Sequence, residues 1–168
     1  GQIIVINGSS LSIHNQEISD VDIGIAVYYS NLIQIDNCKF SDADIGIYLV
    51  ESTNCHVFDS IIYDIGSGIN IDISNYTTIR NNNFENCWEG ILANYPYDLR
   101  IFENNFYNNS ETAIYLETCN IGTIYQNNFT DNGENSGYQA YDYGGIYVYF
   151  YDILNQMGNY WSDYDPLD

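Results

Sequence analysis

Positive charge is almost missing from this chain. Lysine and arginine together number 3 against 23 aspartate and glutamate, a formal net charge of -20. Such a polyanion does not hold nucleic acid or anionic lipid by neutralising phosphates. Proline occurs only 2 times, and strong helix formers are thin, which favours strands and turns over helices. No run of 18 apolar residues exists, so no membrane insertion is expected. No basic stretch followed by an apolar run opens the numbering, which fits a mature or excised chain. A very acidic chain poor in aromatics would read as disordered. Here 18 Tyr and 7 Phe, with isoleucine on a regular beat, exclude that.

What is abundant recurs. Gly24-Ile25, Gly46-Ile47, Gly68-Ile69 and Gly90-Ile91 are spaced by 22 residues, and Ala113-Ile114 and Gly145-Ile146 continue the series. A second column reads Val5, Val27, Leu49, Ile71, Ala93, Leu116 and Val148. A third reads Ile13, Ile35, Val57, Ile79, Ile101 and Ile124, and a fourth Ile18, Phe40, Ile62, Phe84, Phe106, Phe129 and Trp161. Period-2 alternation such as Ile69, Ile71 and Ile73 marks short strands, and Asn, Asp and Gly separate them. A unit of 22 residues with short strands and no helix describes a right-handed parallel β-helix. One all-β domain over 1–168 is expected, of about seven coils, with an inserted loop at 131–144 in the sixth coil. The pairs Asn82-Asn83, Asn104-Asn105 and Asn127-Asn128 fall at equivalent turns. Their amides are expected to form a ladder along the stack.

The phrases "GIYLVESTNCHVFDSIIYD", "IRNNNFENCWEGI" and "IFENNFYNNSETAIYL" resemble right-handed parallel β-helix proteins of the NosD-like, carbohydrate-binding-and-sugar-hydrolase group. The closing "GNYWSDYD" (158–165) resembles a terminal motif of archaeal and bacterial surface proteins in that group. The resemblance covers nearly the whole chain and implies the fold. For function it implies a wide range, from glycan hydrolases and lyases to a copper-maturation accessory protein.

Catalytic chemistry finds little to stand on. Lys39, Arg80 and Arg100 fall in different columns. Asp72 and Glu117 share a column two coils apart, about 9.6 Å by strand spacing, with Asn94 between them. No catalytic residue is assigned. His14, His56 and Met157 make no soft-ligand cluster for copper. Cys38, Cys55, Cys87 and Cys119 occupy four different columns and read as buried thiols, with a disulfide between neighbouring coils left open. Asp20, Asp42, Asp64, Asn86, Asn108, Asp131 and Asp163 form one column, and Asp22 and Asp44 lie two residues on. Asp20, Asp22, Asp42, Asp44 and Asp64 are therefore candidate Ca²⁺ ligands, against a simpler reading as turn residues. Tyr95, Tyr97, Tyr115, Tyr147 and Tyr149, read on or beside the first strand of each coil, are candidate glycan- or partner-binding rings. Asn7, Asn75, Asn108 and Asn128 head glycosylation sequons.

Taken together, an extracellular or cell-surface structural protein without catalysis is expected. With no amphipathic helix to cap either end, the coils are expected to stack head-to-tail into a filament or sheath. The alternative is a polysaccharide-binding or polysaccharide-degrading protein using the tyrosine and acidic strand face.

Overall fold

The computed structural model describes residues 1–152 and 154–162. The described chain winds through three parallel sheets of seven strands each. The first sheet holds Ile3–Ile6, Val21–Tyr28, Ala43–Val50, Ser67–Asp72, Glu89–Asn94, Thr112–Glu117 and Ala140–Tyr143. The second holds Ser9–His14, Asn31–Asp36, His56–Phe58, Thr78–Arg80, Tyr97–Phe102, Asn120–Tyr125 and Ile146–Tyr149. The third holds Glu17–Ile18, Lys39–Phe40, Ile61–Tyr63, Asn83–Glu85, Asn105–Tyr107, Asn128–Thr130 and Tyr160–Trp161. This is a parallel β-helix of seven coils.

The core is built of columns, because a parallel register places like residues over like. Ile25, Ile47, Ile69, Ile91 and Ile114 are fully buried along the first sheet. The third-sheet column carries the largest payload. Phe84, Phe106, Phe129 and Trp161 stack face to face, with centroids 4.8, 5.1 and 4.3 Å apart and planes within 8°. The glycine column explains itself against those rings. A Cβ on Gly68 would lie 2.5 Å from the Gly90 carbonyl oxygen and 2.9 Å from Phe84 Cδ1. Glycine lets the coils approach there while the ring fills the space below.

The corners turn through left-handed residues. Asn15, Asn37, Asp59, Asn81, Glu103 and Gln126 form one positive-φ column, and Asp20, Asp42, Asp64, Asn86, Asn108 and Asp131 another. Asn and Asp tolerate this region better than other L-residues. Two further columns are less well served. Ile73, expected to alternate with Ile69 and Ile71 in a strand, lies past the strand end at φ 51°, and Ile121 sits at φ 66°.

The expected asparagine ladder is present and buried. The Ser60 N–H donates to Asn82 Oδ1, Asn82 to Asn104, Asn104 to Asn127 and Asn127 to Asn159, at 2.9–3.0 Å. Each amide NH₂ donates onward to backbone carbonyls, as Asn104 does to Ile79 and Phe102. A serine ladder runs along another corner, where the amides of Gly8, Ser30 and Ser52 donate to Ser30, Ser52 and Ser74 Oγ. These bonds satisfy corner groups that strand pairing leaves bare.

The seventh coil departs from the sequence expectation. Ile114 pairs with Ala140, not with Ile146, and Leu116 faces Asp142, not Val148. Ile146 and Val148 instead pair with Asn120 and Gly122 in the second sheet. Residues 140–143, expected inside an inserted loop, thus form a strand. The extra length divides between two corners, 131–139 and 150–159.

Candidate functional site

The expected tyrosines do not share one face. Tyr115 lies on the first sheet, whereas Tyr97, Tyr147 and Tyr149 belong to second-sheet strands. Tyr95 and Tyr147 occupy left-handed positions, with φ 53° and 58°. The register of the seventh coil and the reversed backbone at these corners separate rings that strand alternation alone would align. Tyr95, Tyr97 and Tyr147 are exposed, and Tyr115 and Tyr149 half-buried.

The aspartate column is a turn column. Asp20, Asp42 and Asp64 hold left-handed corners, a conformation that Asp tolerates. Asn86 Nδ2 donates to Asp64 Oδ1 at 3.2 Å, extending the column as an amide ladder. With Asp22 and Asp44 they line an open depression of about 370 Å³. Among the described residues, no group of three or more His, Cys, Asp or Glu is arranged to hold a metal ion. Asp163 lies outside the described residues.

Of the sequon asparagines, Asn75, Asn108 and Asn128 use their side chains in the stack. Asn75 Oδ1 accepts the Tyr97 N–H, and Asn108 and Asn128 donate to Asn86 and Asn105. Asn7 is exposed at a corner, with its side chain outside these ladders. The four cysteines are free and buried. Burial pushes Cys55 up to about 11 and Cys87 and Cys119 to about 12.

The second sheet brings together residues that the sequence reading left apart. Gln34, His56, Thr78 and Arg100 follow one another at 22-residue steps in one outward column. Phe58 and Arg80 follow in the next, with the guanidinium 4.6 Å from the ring centroid. Arg100 is held by Asp98 at 3.1 and 3.2 Å. Burial, and then the Arg80 charge, hold His56 below its usual range. The 22-residue step alone would have found this column.

A three-sheet parallel β-helix with laddered corners is therefore the class of protein that the geometry defines. A family model described as "Periplasmic copper-binding protein (NosD)" matches residues 1–166, and the chain belongs to the NosD family. No match to a curated protein reaches significance. Among solved structures, a trypsin-treated variant of QnrB1, a plasmid-mediated fluoroquinolone resistance protein, is similar at 10% identity. That match covers 88% of this chain and 93% of that one, with TM-score 0.32. Full-length QnrB1 matches at 13% identity, over 84% and 78%, with TM-score 0.22. At these scores the likeness carries no argument.

Copper, named in the family description, does not fit the residues present. Cu(I) favours clustered thiolate and thioether sulfurs, and Cu(II) favours grouped imidazoles. The four thiols are buried at separate columns, with pKa values that keep them protonated. His14 stands two coils from His56 in a neighbouring column. Among the described residues no metal-holding group forms around either histidine.

Proposed function

We propose that this chain is a non-catalytic structural module working outside the cytoplasm, and that it associates through its first coil with the first coil of a second copy. The family's periplasmic description supports the location. The first coil carries the association. Its strands Ile3–Ile6, Ser9–His14 and Glu17–Ile18 pair on one side only. Its core residues Val5 and Ile13 keep 8% exposure, where their counterparts in inner coils fall to 0–1%. Ile4 and Ile6 are 57% and 62% exposed. Unpaired, flat, apolar edges template further pairing.

A head-to-tail filament needs the last coil to be open as well. There residues 150–152 and 154–158 fold back. Phe150 packs on the core and on Trp161 at 6.2 Å, and Asp152 bridges to Met157. Pairing of first coils alone closes on itself as a dimer.

Sedimentation across concentrations, with negative-stain microscopy, tests this. Rods of two end-on copies, about 70 Å long by strand spacing, are expected. The Asn7 N–H reaches the Tyr28 carbonyl in the second coil. By strand alternation, the Ile4 N–H faces the free edge. Ile4→Pro should therefore abolish pairing while the coil stays folded. A monomer at every concentration would overturn the association. Fibres would overturn the closed dimer and restore head-to-tail stacking.

A further inference from the structure

We infer that the second sheet carries a binding site for an amphiphilic organic anion, with an oxyanion head at His56, Thr78 and Arg80 and an apolar body on Leu32. Charge placement is the first ground. Of the 3 basic side chains in a chain of net charge -20, Arg80 and Arg100 stand on this sheet, as do both histidines.

Uncommitted donors are the second ground. Among the described residues the Gln34, His56 and Thr78 side chains have no protein hydrogen-bond partner, and Arg80 makes no ion pair. The Arg80 guanidinium carbon lies over the Phe58 ring, 4.6 Å from its centroid, and a guanidinium held on a ring face can still donate to a carboxylate or phosphate. Outward amides on the third sheet bond one another, as Asn83, Asn105 and Asn128 do at 2.6 and 2.7 Å.

Shape is the third ground. Three depressions of about 370, 150 and 210 Å³ adjoin, and His56 lines them all. The largest is lined by the outward corner residue Leu32, 48% exposed, and touches Leu11, whose column continues inward as the buried Ile33. Reading from the first coil toward the fifth, the surface passes from apolar side chains to imidazole to guanidinium. A chain of this net charge repels anions at long range, so a bare ion gains little there. A ligand must bring apolar surface as well as a head for the local donors. Carboxylates and phosphate monoesters share the required chemistry. Leu32, His56, Thr78 and Arg80 lie in the second to fourth coils, away from the edge that pairs.

The test titrates octanoate and octyl phosphate, in separate arms, into ¹⁵N-labelled protein. Octanol and inorganic phosphate serve as controls. Binding by either amphiphile is expected, with amide shifts confined to the first four coils of the second sheet, and the tighter arm identifies the head. Arg80→Gln and Leu32→Asn should each weaken binding about tenfold. Position 32 has φ 56°, where asparagine is well accommodated, so Leu32→Asn tests the apolar wall without unfolding it. His56→Gln is the second head variant if Arg80→Gln melts early by circular dichroism. The inference is overturned if neither amphiphile binds at millimolar concentration or if octanol binds as tightly. It is equally overturned if the folded variants bind like the parent.

Discussion

The two ends of this stack are built differently. The first coil places Val5, Ile13 and Ile18 inward and shows Ile4 and Ile6 outward on its first strand, while its other strands expose Ser9, Ser12, His14 and Glu17. The seventh coil places Asp142 where the other coils hold Val5, Val27, Leu49, Ile71, Ala93 and Leu116. It then folds residues 150–152 and 154–158 back toward the core. Inward charge and covering loops are devices that blunt sheet edges. One end of the described chain thus leaves a strand edge unpaired, and at the other the residues after the last second-sheet strand pack over part of the core. Between them the coils repeat almost without variation, so a contact made in the middle and at an end can be compared directly.

The largest contrast is expected in the asparagine ladder. Asn104 accepts the Asn82 N–H, and its NH₂ donates to the Ile79 and Phe102 carbonyls, all at a buried corner. Asn104→Ala strands several buried groups and should cost about 3 kcal/mol in chemical denaturation. Asn159 makes the analogous bonds in the last coil but is only half-buried. Water can replace the lost partner there, and Asn159→Ala should cost about 1 kcal/mol. Equal costs at the two positions would remove the distinction between middle and end.

Gly68→Ala comes next. Its new Cβ meets a backbone oxygen and the Phe84 ring, neither of which can retreat. A loss of about 2 kcal/mol is expected by thermal melting. Ala113 occupies this column beside the irregular seventh coil, so the restriction belongs to the regular coils. A smaller effect of opposite sign is expected at Ile73, a half-exposed β-branched residue held at φ 51°. Ile73→Asn should stabilise by about 1 kcal/mol. An unchanged melting temperature would mean that the isoleucine gains from side-chain contact what its backbone loses.

Nearly all of the regular stack was legible in the sequence, because a parallel register turns a 22-residue period directly into contacts. The column ending in Phe129 and Trp161 is found as expected, even across the longest insertion. The decoy was Gly145-Ile146. It repeats the local phrase found in four earlier coils, but the first sheet is continued by Ala140, which the chain reaches through the corner at 131–139. Spacing could not reveal how ten extra residues divide between two corners. The tyrosine grouping failed for a related reason. Positive φ at Tyr95 and Tyr147 turns the backbone at residues that would otherwise alternate along a strand. The His56 column leaves no local motif, because its members lie 22 residues apart and only the parallel register sets them side by side.

The smallest expected effect sharpens the contrast between the ends. Burial raises the Asp142 carboxyl above its ordinary range, and the Gly145 N–H offsets this in part. A carboxyl with a raised folded-state pKa costs nothing while protonated in both states. The penalty grows as pH rises through the unfolded and then the folded value. Asp142→Asn should therefore stabilise the protein at neutral pH. The gain should stay under about 1 kcal/mol, since the half-exposed group is screened by solvent, and it should vanish below about pH 4. If this carboxylate also blunts the last edge, removing its charge should let the variant form longer rods at neutral pH. Sedimentation of the variant beside Ile4→Pro would then report on each end separately.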